Sequence, residues 1–96
     1  MAARTSFDNA EALEVATSLG VDFDAEAFTL DEFRAGMNVE LEHGQRDPET
    51  NVTGDDPIIT GKIALAHLHE MPDYYVRLAK MEAEAEAEMA EKLDPA

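Results

Sequence analysis

The sequence predicts an all-α fold, a small bundle of three to four helices. Apolar residues recur at helical spacing: Leu30, Phe33, Met37 and Leu41 are spaced three, four and four. Glycines and prolines divide the chain into helix-length segments, and no segment alternates as a β-strand does. Ninety-six residues suffice for a single modest core, so residues 1–96 are interpreted as a single helical domain.

The first helix is predicted over residues 7–19. Asp8 is a suitable N-cap, because Glu11 follows three residues later as in a capping box. Gly20 supplies a C-terminal stop. We expect Leu13, Ala16 and Ala10 to share the buried face of this helix.

The second helix is predicted to run from a Thr29 cap, with Glu32 completing the capping box, to about His43. Gly44 is expected to end it. Residues 45–56 then form a long acidic loop between the second and third helices. Loops of this length are often functional or mobile.

The third helix is predicted to begin at Pro57, capped by Asp56, and to end at Pro72. Residues 58–68 are apolar nearly all round, which indicates a helix buried on more than one side. The third helix is therefore predicted to be central, with the second and fourth helices packed on it.

The fourth helix is predicted to start at an Asp73 cap, and residues 83–96 are interpreted as its Glu/Ala-rich C-terminal extension. Its expected apolar side comprises Tyr74, Leu78, Met81, Ala85 and Met89.

The charge of the chain restricts its partners. Twenty-two acidic residues oppose seven basic ones, which gives a formal net charge of −15. This charge argues against nucleic acid and anionic membranes as partners, and it favours cations or a basic protein partner. It is also typical of a halophilic protein in a high-salt cytoplasm. Only four phenylalanines and two tyrosines are present, so the predicted core is thin and a homo-oligomer is an expected way to bury more surface.

The absence of cysteine excludes disulfides and thiolate metal sites. No apolar run approaches the roughly 20 residues of a membrane span, and the N-terminus lacks a secretory hydrophobic region. We therefore expect a cytoplasmic location.

Two pairs of residues predict a metal site. Glu40 and His43 on the second helix, and His67 and Glu70 on the third, are each three residues apart and so lie on one side of their helix. Glu-x-x-His is the spacing used by helical di-iron and di-manganese proteins. If the two helices are antiparallel, the four side chains converge on one ion, expected to be Fe, Mn or Zn. No catalytic residue and no organic cofactor is predicted.

Other interpretations remain open. His43 near a helix C-terminus is favoured by the helix dipole, His67 suits a core histidine, and Glu70 has Arg77 or Lys80 as candidate partners. The competing hypothesis is a non-catalytic interaction or structural module that binds a protein partner through its acidic surface and C-terminal helix. A third is a small hydrolase or oxidase that works through a bound ion.

Four short segments of the sequence resemble those of a known family: ELEHG, TNVT, TGKIALAHL and PDYY. With the residues around them, from Phe28 to Glu82, they resemble a domain-of-unknown-function family of small proteins in archaea, bacteria and some viruses. The resemblance implies no activity. It does imply that residues 28–82 are the characteristic core and that the first helix and residues 83–96 are peripheral.

Overall fold

The computed structural model describes residues 5–93, which form four α-helices and one short 3-10 helix. The α-helices are α1 (Asn9–Ser18), α2 (Leu30–Arg46), α3 (Pro57–Glu70) and α4 (Tyr74–Leu93), and the 3-10 helix is Pro48–Thr50. Within residues 5–93 there is no β-strand. The predicted all-α bundle is confirmed.

The predicted caps of α1 and α2 are both present. The Asp8 carboxylate accepts the Glu11 N–H at 2.8 Å, and the Glu11 carboxylate accepts the Asp8 N–H at 3.0 Å. Thr29 Oγ1 and the Glu32 carboxylate make the same reciprocal pair, at 3.2 and 2.9 Å. Each box satisfies two backbone donors that the first turn of a helix leaves unpaired. Gly20 follows α1 with a φ of +75°, as predicted for a C-terminal stop.

The buried face of α1 agrees with the prediction only at Ala16. It consists of Ala12, Val15 and Ala16, whereas Leu13 is 49% exposed and Ala10 is exposed as well. The reason lies in α3, where Gly61 contacts α1 so closely that a Cβ added at Gly61 would overlap the side chain of Val15. Val15 faces α3 at this contact and Ala12 and Ala16 lie in the core cluster, so Leu13 is turned outward.

Gly44 lies inside α2 and does not end it, contrary to the prediction. Gly44 is buried, and a Cβ there would lie 3.1 Å from both Asn51 Oδ1 and Thr53 Oγ1. The glycine therefore serves a close approach of the following segment. α2 stops at Asp47, whose φ of −144° and ψ of 121° are the extended values favoured before Pro48.

The predicted loop of residues 45–56 is more structured than expected. Its first two residues belong to α2, and the 3-10 helix follows. In the remainder, Asn51 Oδ1 accepts the Gly54 N–H at 2.9 Å and Thr53 Oγ1 accepts the Asp55 N–H at 3.1 Å. The side-chain oxygens of Asn51 and Thr53 thus accept backbone N–H groups that have no helical carbonyl partner in this turn.

The core lies mainly between α2 and α3, and each of these helices also packs against α1 and α4. α3 was predicted to be the central element, but α2 shares this position. The buried face of α3 is narrow, and Ile59 is 43% exposed. The largest fully buried side chains are Phe33, Met37 and Leu41 of α2 and Thr60 and Leu68 of α3.

α4 is packed on the bundle only in its first half. Tyr75 is buried, and Tyr74 and Leu78 are half-buried against the core. Met81 and Met89, which were predicted on the apolar side, are 57% and 60% exposed. Among residues 5–93, the other helices leave Met81 and Met89 uncovered, so these two side chains remain in solvent.

Candidate functional site

Three polar side chains from three helices meet at one point. Glu40 of α2 lies with its Oε2 3.2 Å from Nδ1 of His67 in α3. The hydroxyl of Tyr75 in α4 donates to the same Glu40 oxygen at 2.6 Å and lies 3.4 Å from His67 Nδ1. We refer to these three residues as the Glu40–His67–Tyr75 cluster.

A glycine makes this convergence possible. A Cβ added at Gly36 would overlap the ring of Tyr75, so the bare backbone of α2 provides the surface on which that ring lies. Glu40 is one helical turn further along α2, within reach of the phenol oxygen. Pro72 ends α3 and lets the chain turn back, which places Tyr75 beside His67.

The cluster is largely shielded from water. The side chain of Glu40 is 11% exposed and that of His67 is 31% exposed. Burial raises the pKa of the Tyr75 phenol well above its ordinary value, and the hydrogen bond to Glu40 and the negative charge of that carboxylate raise it further. Tyr75 is therefore held in its protonated form as a hydrogen-bond donor.

A second tyrosine covers the imidazole. The ring of Tyr74 lies 4.2 Å from that of His67 between centroids, with a tilt of 42° between the planes. Tyr74 also packs edge-on against Tyr75 at 5.0 Å. The two aromatic rings limit the positions that the imidazole ring can take.

The family model described as a protein of unknown function, DUF5661, matches residues 12–84, which is more than half of the chain. The chain belongs to the DUF5661 family. The resemblance to a family of unknown function is thereby confirmed, and the match reaches further toward the N-terminus than residues 28–82. No curated protein and no solved structure matches the chain.

The DUF5661 match includes the whole Glu40–His67–Tyr75 cluster and ends before most of the exposed half of α4. None of the helices described in this DUF5661 protein is long and apolar enough to cross a membrane.

The structure brings two of the four predicted metal ligands, Glu40 and His67, into contact. His43 points elsewhere: its Nε2 lies 3.7 Å from Glu82 Oε2 of α4, and both side chains are more than 40% exposed. His43 nevertheless lines the same cavity as Glu40, a space of about 320 Å³ between α2, α3 and the segment after the 3-10 helix. It is close to the cluster without belonging to it.

Glu70, the fourth predicted ligand, is exposed at the end of α3. Arg77, one of its candidate partners, bonds Asp73 at 2.7 Å instead. His69 also points away from the cluster and lies 3.1 Å from a Glu26 carboxylate oxygen, which ties the segment before α2 to α3.

Across residues 5–93 no group of three or more His, Cys, Asp and Glu is arranged to hold a metal ion. The third member of the cluster is a tyrosine, and sequence reasoning missed it. Tyr74 had been predicted on the apolar side of its helix, but Tyr75 is the more buried of the two. The feature of the sequence that could have indicated Tyr75 is Gly36, one turn before Glu40, because a glycine inside a helix leaves room for a large ring from another helix. The donor set is thus one carboxylate, one imidazole nitrogen and one phenol oxygen, which suits a hard or borderline cation.

Proposed function

We propose that this DUF5661 protein binds a metal ion, Fe, Mn or Zn, at the Glu40–His67–Tyr75 cluster. The observation that supports the proposal is the convergence of three donor atoms from three helices at one largely buried point. Two of these residues are ligands predicted from the sequence. Tyr75 takes the place of a third carboxylate or histidine.

The spacing of the donors supports this proposal. Metal–ligand bonds of about 2.0–2.2 Å place neighbouring donor atoms about 3 Å apart around an ion. The separations of His67 Nδ1 from Glu40 Oε2 and from the Tyr75 oxygen, 3.2 and 3.4 Å, are of this size. The shorter separation of 2.6 Å between Glu40 and Tyr75 is a hydrogen bond, whose proton an ion would displace.

The surroundings suit a cation. The cavity that Glu40 shares with His43 gives an ion a path to the carboxylate, and the imidazole of His43 is exposed enough to turn toward it. His43 would then add a second nitrogen donor, with water completing the coordination. A net charge of −15 raises the local concentration of cations around the whole molecule.

The competing explanation is structural. Without an ion, the same hydrogen bonds link α2, α3 and α4 and satisfy three partly buried polar groups. Both explanations predict that substitutions in the cluster reduce stability. Only the first predicts a bound metal, so metal content is the measurement that separates them.

The test is elemental analysis of protein purified without a histidine tag, before and after reconstitution with Fe²⁺, Mn²⁺ or Zn²⁺. We expect near-stoichiometric metal in the wild type, and loss of most of it in Glu40→Gln and in His67→Ala. His69→Ala is the matched control, because His69 lies on the same helix but contacts Glu26. It should retain the metal.

A wild type without metal after reconstitution would refute the proposal, as would equal metal in His67→Ala and the wild type. Circular dichroism of each variant would establish that it is folded. His43→Ala tests separately whether His43 is a ligand, because a partial loss of metal in this variant would show that it contributes to binding. If metal is bound, turnover of a redox or hydrolytic probe by the loaded protein would test for catalysis.

A further inference from the structure

We propose that one side of α4, from Leu78 to Met89, binds a basic amphipathic helix of a partner protein. The contact surface is a row of four residues on one side of α4, which we call the methionine stripe: Leu78, Met81, Ala85 and Met89. This inference is independent of metal binding, because the stripe begins beyond the cluster and shares no residue with it.

The methionine stripe continues the packed face of α4 into solvent. Its residues are spaced three, four and four, so they lie on one side of the helix. Leu78 is half-buried on the bundle, whereas Met81 and Met89 are more than half exposed. An apolar row of this kind, once it leaves its own core, is suited to the apolar face of another helix.

A recess lies at the start of the stripe. It has a volume of about 340 Å³ and is lined by Met71, Tyr74, Arg77, Leu78 and Met81. A leucine-sized side chain of a partner would fit there. Methionine side chains adapt to different shapes, which suits a surface that accepts a foreign helix.

The charge around the stripe identifies the chemistry of the partner. From Met81 to Glu91 the chain has five glutamates and no lysine or arginine, and Lys80 and Lys92 lie just outside this stretch. Glu82 and Glu86, like Glu84 and Glu88, are four residues apart and repel each other along the helix. Lysine or arginine side chains of a partner would relieve this repulsion.

The same charge argues against a second copy of this chain as the occupant. Two copies would bring their glutamate rows together, and each carries a net charge of −15. Repulsion of this size opposes association at low ionic strength. A cationic helix is attracted under the same conditions.

The experiment is a titration of the full chain with a synthetic amphipathic helix of leucine and lysine, about 18 residues or five turns long. A peptide of the same composition with its leucines scrambled tests whether an apolar face is required. A third peptide with glutamate in place of lysine tests the charge. We expect binding of the first peptide, weaker binding of the second and none of the third, with an affinity that falls as salt rises.

The variants isolate the methionine stripe. Met81→Gln combined with Met89→Gln should weaken binding by about tenfold or more, because exposed apolar anchors are lost while helix propensity is kept. The matched control is Ala83→Gln combined with Ala87→Gln, which lie on the other side of α4 and are exposed. This pair should bind as the wild type does.

Equal binding of the ordered and scrambled peptides, with no effect of the methionine substitutions, would overturn the proposal and leave only non-specific attraction between charges. Light scattering measures the oligomeric state and tests whether a second copy of the chain occupies the methionine stripe. A dimer at low salt that the methionine substitutions dissociate would make a second copy the occupant and would also overturn the proposal. Neither result depends on whether the cluster binds metal.

Discussion

Tyr75 combines several roles in one residue. It is the buried aromatic anchor of α4, its ring fills the space that Gly36 leaves open, and its hydroxyl bonds the carboxylate of Glu40. Each contact joins α4 to a part of the chain more than thirty residues away. A hydroxyl bonded to a charged group typically contributes about 1.5–3 kcal/mol when it is buried. The attachment of α4 to the bundle therefore depends strongly on this residue.

The raised pKa of Tyr75 predicts a loss of stability at alkaline pH. An unfolded tyrosine releases its proton near pH 10, whereas burial and Glu40 keep the folded residue protonated. Stability from this source is complete below about pH 10 and declines above it, because the unfolded chain then binds fewer protons than the folded one. By about pH 11 the expected loss is about 1.4 kcal/mol.

Denaturant unfolding at about pH 9 and about pH 11 checks this expectation. Tyr75→Phe is the control, because it keeps the ring and removes the titrating group. The wild type should lose more stability than Tyr75→Phe between the two pH values. An equal loss in both proteins would show that Tyr75 is not the source.

At the scale of elements, glycines determine how the helices pack. Gly36 accommodates the Tyr75 ring, Gly44 accommodates Asn51 and Thr53, and Gly61 accommodates α1. All three lie inside helices, where glycine costs about 1 kcal/mol relative to alanine. This cost is offset by the close contacts that a Cβ would prevent. The same feature explains why Gly44 does not end α2.

The contact between α1 and α3 gives a second prediction. Gly61→Ala would stabilise an isolated helix, yet we expect it to destabilise this protein by about 1–3 kcal/mol, since the added Cβ overlaps Val15. Urea unfolding of the variant measures the change. The double variant Gly61→Ala with Val15→Ala is the control for steric overlap. Its loss of unfolding free energy should be smaller than the sum of the losses in the two single variants. Simple additivity would contradict the overlap.

At the scale of the whole molecule, charge opposes the compact state. A net charge of −15 on 96 residues repels itself in the folded bundle, and α4 extends part of it away from the core. Part of this charge lies on the exposed side of α4, with five glutamates among the eleven residues from Met81 to Glu91. Ionic strength should therefore change both the stability of the fold and the affinity for a cationic partner.

The third prediction concerns salt. Between about 10 mM and 0.15 M sodium chloride the screening length falls from about 30 to 8 Å, so repulsion between distant carboxylates is removed. The free energy of unfolding should rise over this range. Sucrose at matched osmolality, which does not screen charge, should not reproduce the size of the effect. A flat or falling dependence on salt would mean that the net charge does not limit stability.

Much of the fold could be predicted because its signals act over short distances. The capping boxes at Asp8 and Thr29 and the prolines at positions 57 and 72 each operate within about one turn, and all were predicted from the sequence. The candidate site was only partly predictable. The sequence indicated Glu40 and His67 as candidate ligands on two different helices. The outward turn of His43 toward Glu82 depends on where α4 lies.

The sequence by itself determined the all-α class, a count of three to four helices, the start of each helix and the strongly acidic surface. These features follow from neighbours in the chain and from composition. Only the tertiary structure decided which face of α1 is buried, which glycines receive another segment, and that Tyr75 completes the cluster with Glu40 and His67. The physical reason is distance along the chain: Tyr75 and Glu40 are separated by 35 residues, and their contact exists only once three helices have packed.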